Sequence, residues 1–147
     1  MTTHRIFVEH NPSQEKRDFL GKSLLEFDAQ KVGSMNIRVF GAFLRDPEGK
    51  ISAGGLGTTM WNWVYINWFW VDGELRGQGW GRKVLQAIEQ EAVRLGCGSA
   101  YLNTFDFQGL GFYQKQGYEI YGELNDFPEG HKNFHLRKKL DRDRGFD

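Results

Sequence analysis

Apolar and polar residues change their period several times along this chain, and each change marks an element. Arg5 to Glu9 alternates polar and apolar positions, the period of a strand. Asn11-Pro12-Ser13 then supplies a capping residue and a proline suited to a first helical turn. Phe19, Leu20, Leu24 and Phe27 follow at helical spacing, one stripe that runs toward Val32 and stops near Gly33. From Asn36 the apolar runs shorten to strand length, Ile37 to Leu44 and Ile51 to Met60, with Asp46-Pro47-Glu48-Gly49 between them. In that segment proline presets one central φ and glycine accepts the positive φ that ends a hairpin turn. Trp61 to Val71, dense in aromatic and β-branched residues, reads as the longest central strand.

The second half has a different rhythm. A glycine-rich turn, Arg76 to Gly81, opens a helix whose stripe is Val84, Leu85, Ile88, Ala92 and Leu95, ending at Gly96. Ala100 to Thr104 is strand-like, a short helix spans Leu110 to Gln116 and stops at Gly117, and Tyr118 to Leu124 and Asn133 to Leu140 close the chain as strands. The predicted order is β-α-β-β-β-α-β-α-β-β. Alternation in the middle with hairpins at both ends points to an α/β (α+β) protein, a mixed sheet with helices on its faces. With no repeat and no composition break, residues 4–140 form one expected domain and residues 141–147 a charged tail.

Composition narrows the function classes. The chain has 147 residues, 39% of them hydrophobic, enough for one core. Nineteen Lys plus Arg balance nineteen Asp plus Glu, which disfavours a protein that grips nucleic acid by bulk charge. A single cysteine, Cys97, makes neither an internal disulfide nor a multi-cysteine zinc cluster, and suits a reducing compartment. No run approaches the ~20 apolar residues of a membrane helix, and the N-terminus has no apolar stretch of signal-peptide length, so the expectation is a cytoplasmic protein without a membrane partner.

Val71 to Lys83 holds the most informative chemistry: a strand, a turn with Gly77, Gly79 and Gly81, then a helix. Glycines let backbone approach a ligand, and the free N–H groups of a first helical turn attract a phosphate or pyrophosphate. The spacing excludes both a Gly-Lys-Ser/Thr phosphate loop and a dinucleotide fingerprint, in which Arg82 would have to be the third glycine. By residues alone, a merely tight strand-to-helix connection fits as well.

Two motifs resolve this by likeness. Arg76-x-x-Gly79-x-Gly81 resembles the Q/R-x-x-G-x-G/A acyl-CoA loop of the GNAT superfamily of N-acyltransferases, and Phe112-Tyr113-Gln114-Lys115-Gln116-Gly117-Tyr118 is similar to that family's F-Y-x-K-x-G-F/Y segment. With the element order, the likeness covers residues 5–140. Phe105-Asp106-Phe107-Gln108 and Phe127-Pro128-Glu129-Gly130-His131 further resemble a branch of small bacterial acetyltransferases.

The resemblance implies a mixed, mostly antiparallel sheet whose central parallel pair splays apart, with helices on both faces and acetyl-CoA in the gap; no metal is expected from the residues themselves. It implies that Arg76, Gly77, Gln78, Gly79, Trp80, Gly81 and Arg82 hold the pyrophosphate, and that Phe69, Trp70 and Val71 hold the pantetheine arm and thioester. It makes Tyr113 the catalytic phenol that hydrogen-bonds the thioester sulfur and gives a proton to the departing thiolate. Period-two alternation puts Tyr65 and Asn67 on one strand face with Phe69 and Val71. Tyr65 stands where several family members have a catalytic glutamate; with His131 and Asn67 it is expected on the acceptor side. Because Trp61 to Val71 contains no carboxylate, a water relay or a remote carboxylate must take the amine proton, Glu123 acting through water being the first candidate and Asp126 or Glu129 the next. Two departures stand out: Asp106 and Gly109 replace the asparagine and alanine seven and four residues before the tyrosine.

Other residues have plainer readings. His131 and His135 lack an acidic ligand at metal spacing. Trp61, Trp63, Trp68 and Trp70 either line an acceptor pocket or pack in the core. Cys97, at a helix C-terminus, is a packed hydrophobe rather than a nucleophile.

The expected reaction is direct transfer of an acetyl group to a primary amine of a small molecule or peptide. A non-catalytic acyl-CoA-binding module is the alternative. A transferase acting on charged tRNA is another, resting on Lys132, Arg137, Lys138, Lys139, Arg142 and Arg144. A homodimer is left open.

Overall fold

Ser13 starts the first helix, α1 (Gln14–Val32), its hydroxyl accepting the Lys16 N–H at 3.2 Å, and Gly33 at φ 83° ends it. In this computed structural model residues 3–141 are described. The tail expected over 141–147 therefore lies outside the described residues except for Asp141. The described residues fall into two compact units that part between Met35 and Asn36. In the first, the stripe residues Phe19, Leu20, Leu24 and Phe27 are all exposed, and no residue of α1 is buried. The strand expected over Arg5 to Glu9 does not form. Alternation decides which way a side chain would face, but a strand exists only through its ladder, and this segment has none.

The second unit contains β1 (Arg38–Arg45), β2 (Ile51–Met60), β3 (Trp63–Val71), a 3₁₀ turn (Gly73–Leu75), α2 (Trp80–Arg94), β4 (Ser99–Phe105), α3 (Leu110–Lys115), β5 (Glu119–Asn125) and β6 (Lys132–Lys139). The described strands form one sheet in the order β1-β2-β3-β4-β6-β5, in which only β3 and β4 are parallel. Asp46 organises the first hairpin by accepting the N–H groups of Glu48 and Lys50, both at 2.9 Å, while Gly49 sits at φ 86°. Trp61 and Asn62, expected within a strand, instead make the two-residue turn between β2 and β3 with φ of 46° and 75°. That shortens β3 to 9 residues against the 10 of β2, so β3 is not the longest strand.

A second departure matters more. Leu56 pairs with Asn67 and Gly54 with Trp70, so β3 carries one extra residue, and Trp68 takes it up at φ 50°. This bulge breaks the alternation. Val64 and Ile66 are buried, and after the bulge Phe69 and Val71 turn to the same core. Tyr65 and Asn67 therefore do not share a face with Phe69 and Val71.

The core lies between the sheet and α2. Val84, Leu85, Ile88 and Ala92 are buried as the helical stripe anticipated, against Ala53, Val64, Ile66, Ala100, Leu102 and Leu136, and Cys97 is buried with them. Gly55 is required by that packing. A Cβ there would stand 2.8 Å from Phe69 Cδ2 and 3.0 Å from Ile88 Cδ1. Gly55→Ala is expected to cost about 1–3 kcal/mol of stability by overpacking, read from urea unfolding. An unchanged midpoint would show that Phe69 and Ile88 yield freely.

Candidate active site

The glycines between β3 and α2 serve two purposes. Gly77 and Gly79, at φ 77° and 86°, make turns that a side chain would strain. Gly81 is set by packing instead, since a Cβ there would lie 3.3 Å from the Phe112 ring. The turn is tied down at its start: Asp72 accepts the Glu74 N–H at 3.0 Å, Arg76 Nε donates to the Val71 carbonyl at 3.2 Å, and Gln78 Nε2 to that of Glu74 at 3.0 Å. Gly79 is the N-cap of α2 and no side chain caps the helix. The first helical bond runs from the Lys83 N–H to the Gly79 carbonyl, so the N–H groups of Trp80, Gly81 and Arg82 have no partner within the helix and point out of its end.

From this loop the parallel strands diverge. β3 and β4 pair at Trp63–Ser99, Val64–Ala100 and Tyr65–Tyr101 and no further, although both strands continue. The gap begins at Asn67, whose side-chain oxygen is buried without a hydrogen-bond partner among the described residues. On the α2 side of the gap Phe69 stacks on Phe112 at 5.8 Å and meets Tyr113 edge-on at 6.0 Å. Tyr113 is 7% exposed, and burial pushes its phenol up to about 12. The departure at Gly109 has a steric reason, because a Cβ there would come within 3.2 Å of the Tyr113 ring.

Sequence reasoning missed the anchor behind Tyr113. Tyr118, 6.0 Å away ring to ring, donates to Glu89 Oε2 at 2.8 Å, and Lys138 Nζ lies 3.0 Å from both Glu89 oxygens. Glu89, 1% exposed, is thus a buried charge with two partners from other elements. Burial and then the Glu89 charge push the Tyr118 phenol up as well.

On the opposite face Tyr65 donates its hydroxyl to Asn103 Oδ1 at 3.2 Å and packs on Tyr101 at 5.0 Å. Burial, with Tyr65 and Tyr121 nearby, raises the Tyr101 phenol. Asp106 points to the start of β6, with Oδ1 2.9 Å from His131 Nδ1 and Oδ2 accepting the Lys132 N–H at 3.0 Å. Burial works to raise its carboxyl, but His131 and the backbone donors of Lys132 and Phe107 outweigh it and hold it below the usual range. Around this pair Phe105 stacks on Phe107 at 5.3 Å and meets Phe127 at 5.2 Å. Trp68 and Trp70 are exposed rather than core.

Glu123 is not brought to this face. It stands opposite Phe134, whose ring packs on the core, and 3.6 Å from Lys132. Asp126 turns onto the Gly130 N–H at 3.3 Å. Of the basic cluster near the C-terminus, Lys132, Arg137 and Lys138 are paired with Glu123, Glu119 and Glu89, and Arg142 and Arg144 lie outside the described residues.

The described sequence and geometry have known counterparts. The acetyltransferase (GNAT) family matches residues 5–118. This chain belongs to that family. Blasticidin-S acetyltransferase of Streptomyces morookaense is 31% identical over 105 residues, covering 71% of this chain and 77% of that one. A solved Bacillus cereus acetyltransferase is 28% identical with a TM-score of 0.82, covering 91% of this chain and 98% of that one. A solved structure from Agrobacterium tumefaciens superposes with a TM-score of 0.86 at 24% identity, over 92% of this chain and 99% of that one, and shows the fold. The protein is an acetyltransferase of the family that uses acetyl-CoA as co-substrate. The residues present fit that co-substrate: an uncapped helix end for a pyrophosphate, a splayed strand pair beyond it, and an orphaned amide oxygen at the mouth of the gap.

The Tyr113 environment predicts a pH dependence. Its phenol titrates near 10 in the unfolded chain and near 12 in the folded one, so between these values the folded state keeps a proton that the unfolded state has released. Stability is therefore intact below pH 10 and falls as pH rises through the window. Tyr113→Phe is expected to flatten the decline measured by urea unfolding; an unaltered slope would show that the ring is hydrated.

Proposed function

We propose that the protein transfers an acetyl group from acetyl-CoA to a primary amine of a small molecule or peptide, by direct attack within a ternary complex. The splay of β3 from β4 carries this reading, with buried Tyr113 on one side and Tyr65 with Asn67 on the other. Gly77 to Arg82 hold the pyrophosphate on N–H groups, with Arg76 and Arg82 adding charge. Phe69 to Val71, past the bulge, offer backbone groups to the pantetheine amides and to the thioester carbonyl, polarising it. The amine nitrogen bonds to the carbonyl carbon, the carbon–sulfur bond breaks, and the thiolate leaves toward Tyr113.

Burial pushes the Tyr113 phenol up to about 12, which makes it a poor donor of a whole proton to the departing thiolate. Tyr113 instead donates a hydrogen bond as charge grows on sulfur. Cytoplasmic residence goes with this reading, supported by the lone Cys97 and by the absence, among the described residues, of a helix long and apolar enough to cross a membrane. Thiol release from acetyl-CoA against a panel of primary amines tests the activity. Acetyl-CoA binding with no release on any amine would instead indicate a binding module.

Two further outcomes are expected. Acetyl-CoA should raise the melting temperature, and Gly79→Asp should abolish the rise by placing a carboxylate where the anion sits. Gly79→Asn carries the same backbone strain without the charge and should retain most of it; equal shifts in both variants would remove the loop from the site. Tyr113→Phe should lower kcat about 10- to 100-fold, since a hydrogen bond to a charged group contributes about 1.5–3 kcal/mol. The loss should shrink for a donor with a more acidic leaving thiol. Full kcat would make Tyr113 a packing residue.

A further inference from the structure

The side from which the amine arrives decides which group can take its proton. Tyr113, Phe69 and Phe112 fill the α2 side of the gap, so the amine must reach the thioester from the opposite face of the sheet. On that face the register sets four strands side by side. Tyr65 of β3 neighbours Tyr101 of β4, Tyr101 pairs with Arg137 of β6, Asn103 with His135, and Glu119 of β5 with Arg137. Tyr121 of β5 leans on His135 edge-on at 6.1 Å.

The other ionisable groups on this face are committed or unsuited. Arg137 bonds Glu119 at 2.9 Å and covers the Tyr121 ring at 5.6 Å, so its cation is committed to β5; Lys139 lies one same-face pair further along, opposite Ser99. Tyr65, Tyr101 and Tyr121 are phenols, which offer a hydrogen-bond donor rather than a base. The Asp106 carboxylate is held by His131 and Lys132, and Glu123 stands on the other face. Histidine is the side chain whose ordinary titration lies near neutrality.

We propose that His135 is the proton acceptor for the attacking amine. Resting on the transfer reaction proposed above, the step is balanced: nitrogen bonds to the carbonyl carbon, its surplus proton passes to the neutral imidazole, the carbon–sulfur bond breaks, and the thiolate, bonded by Tyr113, takes a proton from solvent. The imidazolium then releases its proton to solvent. Asn103, paired with His135 across the ladder and bonded to Tyr65, orients the amine between the phenol and the imidazole.

The test compares wild type, His135→Gln, His135→Ala and Glu123→Gln, using the panel amine that gives the highest thiol release. His135→Gln should lower kcat/KM about 100-fold near neutrality and remove the enzyme's part of the rising limb of its pH profile, while the acetyl-CoA melting shift persists. Free imidazole should restore activity to His135→Ala, which a purely structural role would not allow. An unchanged limb in His135→Gln, a loss without imidazole rescue, or removal of the limb by Glu123→Gln instead would each overturn the proposal. A wild type that releases no thiol with any amine of the panel fails the transfer reading itself, a separate outcome.

Discussion

One residue too many in β3 governs the layout of this protein. Because Trp68 is absorbed at a positive φ, the side chains before and after it stop alternating, and both Ile66 and Phe69 reach the core under α2. The strand therefore supplies a buried wall along its whole length, yet still presents Tyr65 and Asn67 to the other side. It is also near this point that the ladder to β4 ends. A bulge bends a strand and disrupts local pairing. Beyond Tyr65 the backbone groups of β3 that face β4 are outside any ladder, which is the arrangement the proposed thioester site uses.

The aromatic residues on the α2 side form a continuous path from the Gly77–Gly81 loop to the gap between β3 and β4. Gly81 admits Phe112, Phe112 stacks on Phe69, and Tyr113 is wedged between Phe69 and Tyr118. Behind Tyr118 the pair of Glu89 and Lys138 fixes the position of the phenol in a place where water is largely excluded. Removing Lys138 would leave the Glu89 carboxylate in the interior without its cation, an outcome more costly than the pair is stabilising. The short α3, with glycines at 109 and 111 and only six residues, depends on these contacts rather than on its own propensity.

Much of this was legible locally. The Ser13 cap, the Asp46 to Gly49 turn, the apolar stripe of α2 and the positive-φ glycines of the loop are each decided within a few residues, and most element boundaries fall within one or two positions of expectation. What escaped depends on partners distant in sequence. Trp68-Phe69-Trp70 is an unbroken apolar run, so nothing in it marks the inserted residue until β2 is laid beside it. Glu89 looks like any solvated helix residue until Tyr118 and Lys138 arrive. Glu123 and His135 are both polar residues in strands, and only the register with β6 and β4 separates their faces. Arg5 to Glu9 had the right alternation and no ladder.

The parallel pair has a mechanical meaning. β3 and β4 share three register pairs, whereas every other ladder in the sheet has six or more. The sheet is thus two antiparallel halves sewn by a short seam at one end. The width of the cleft at the far end is therefore the dimension of the sheet that its ladders constrain least, and a change there would leave the remaining ladders intact.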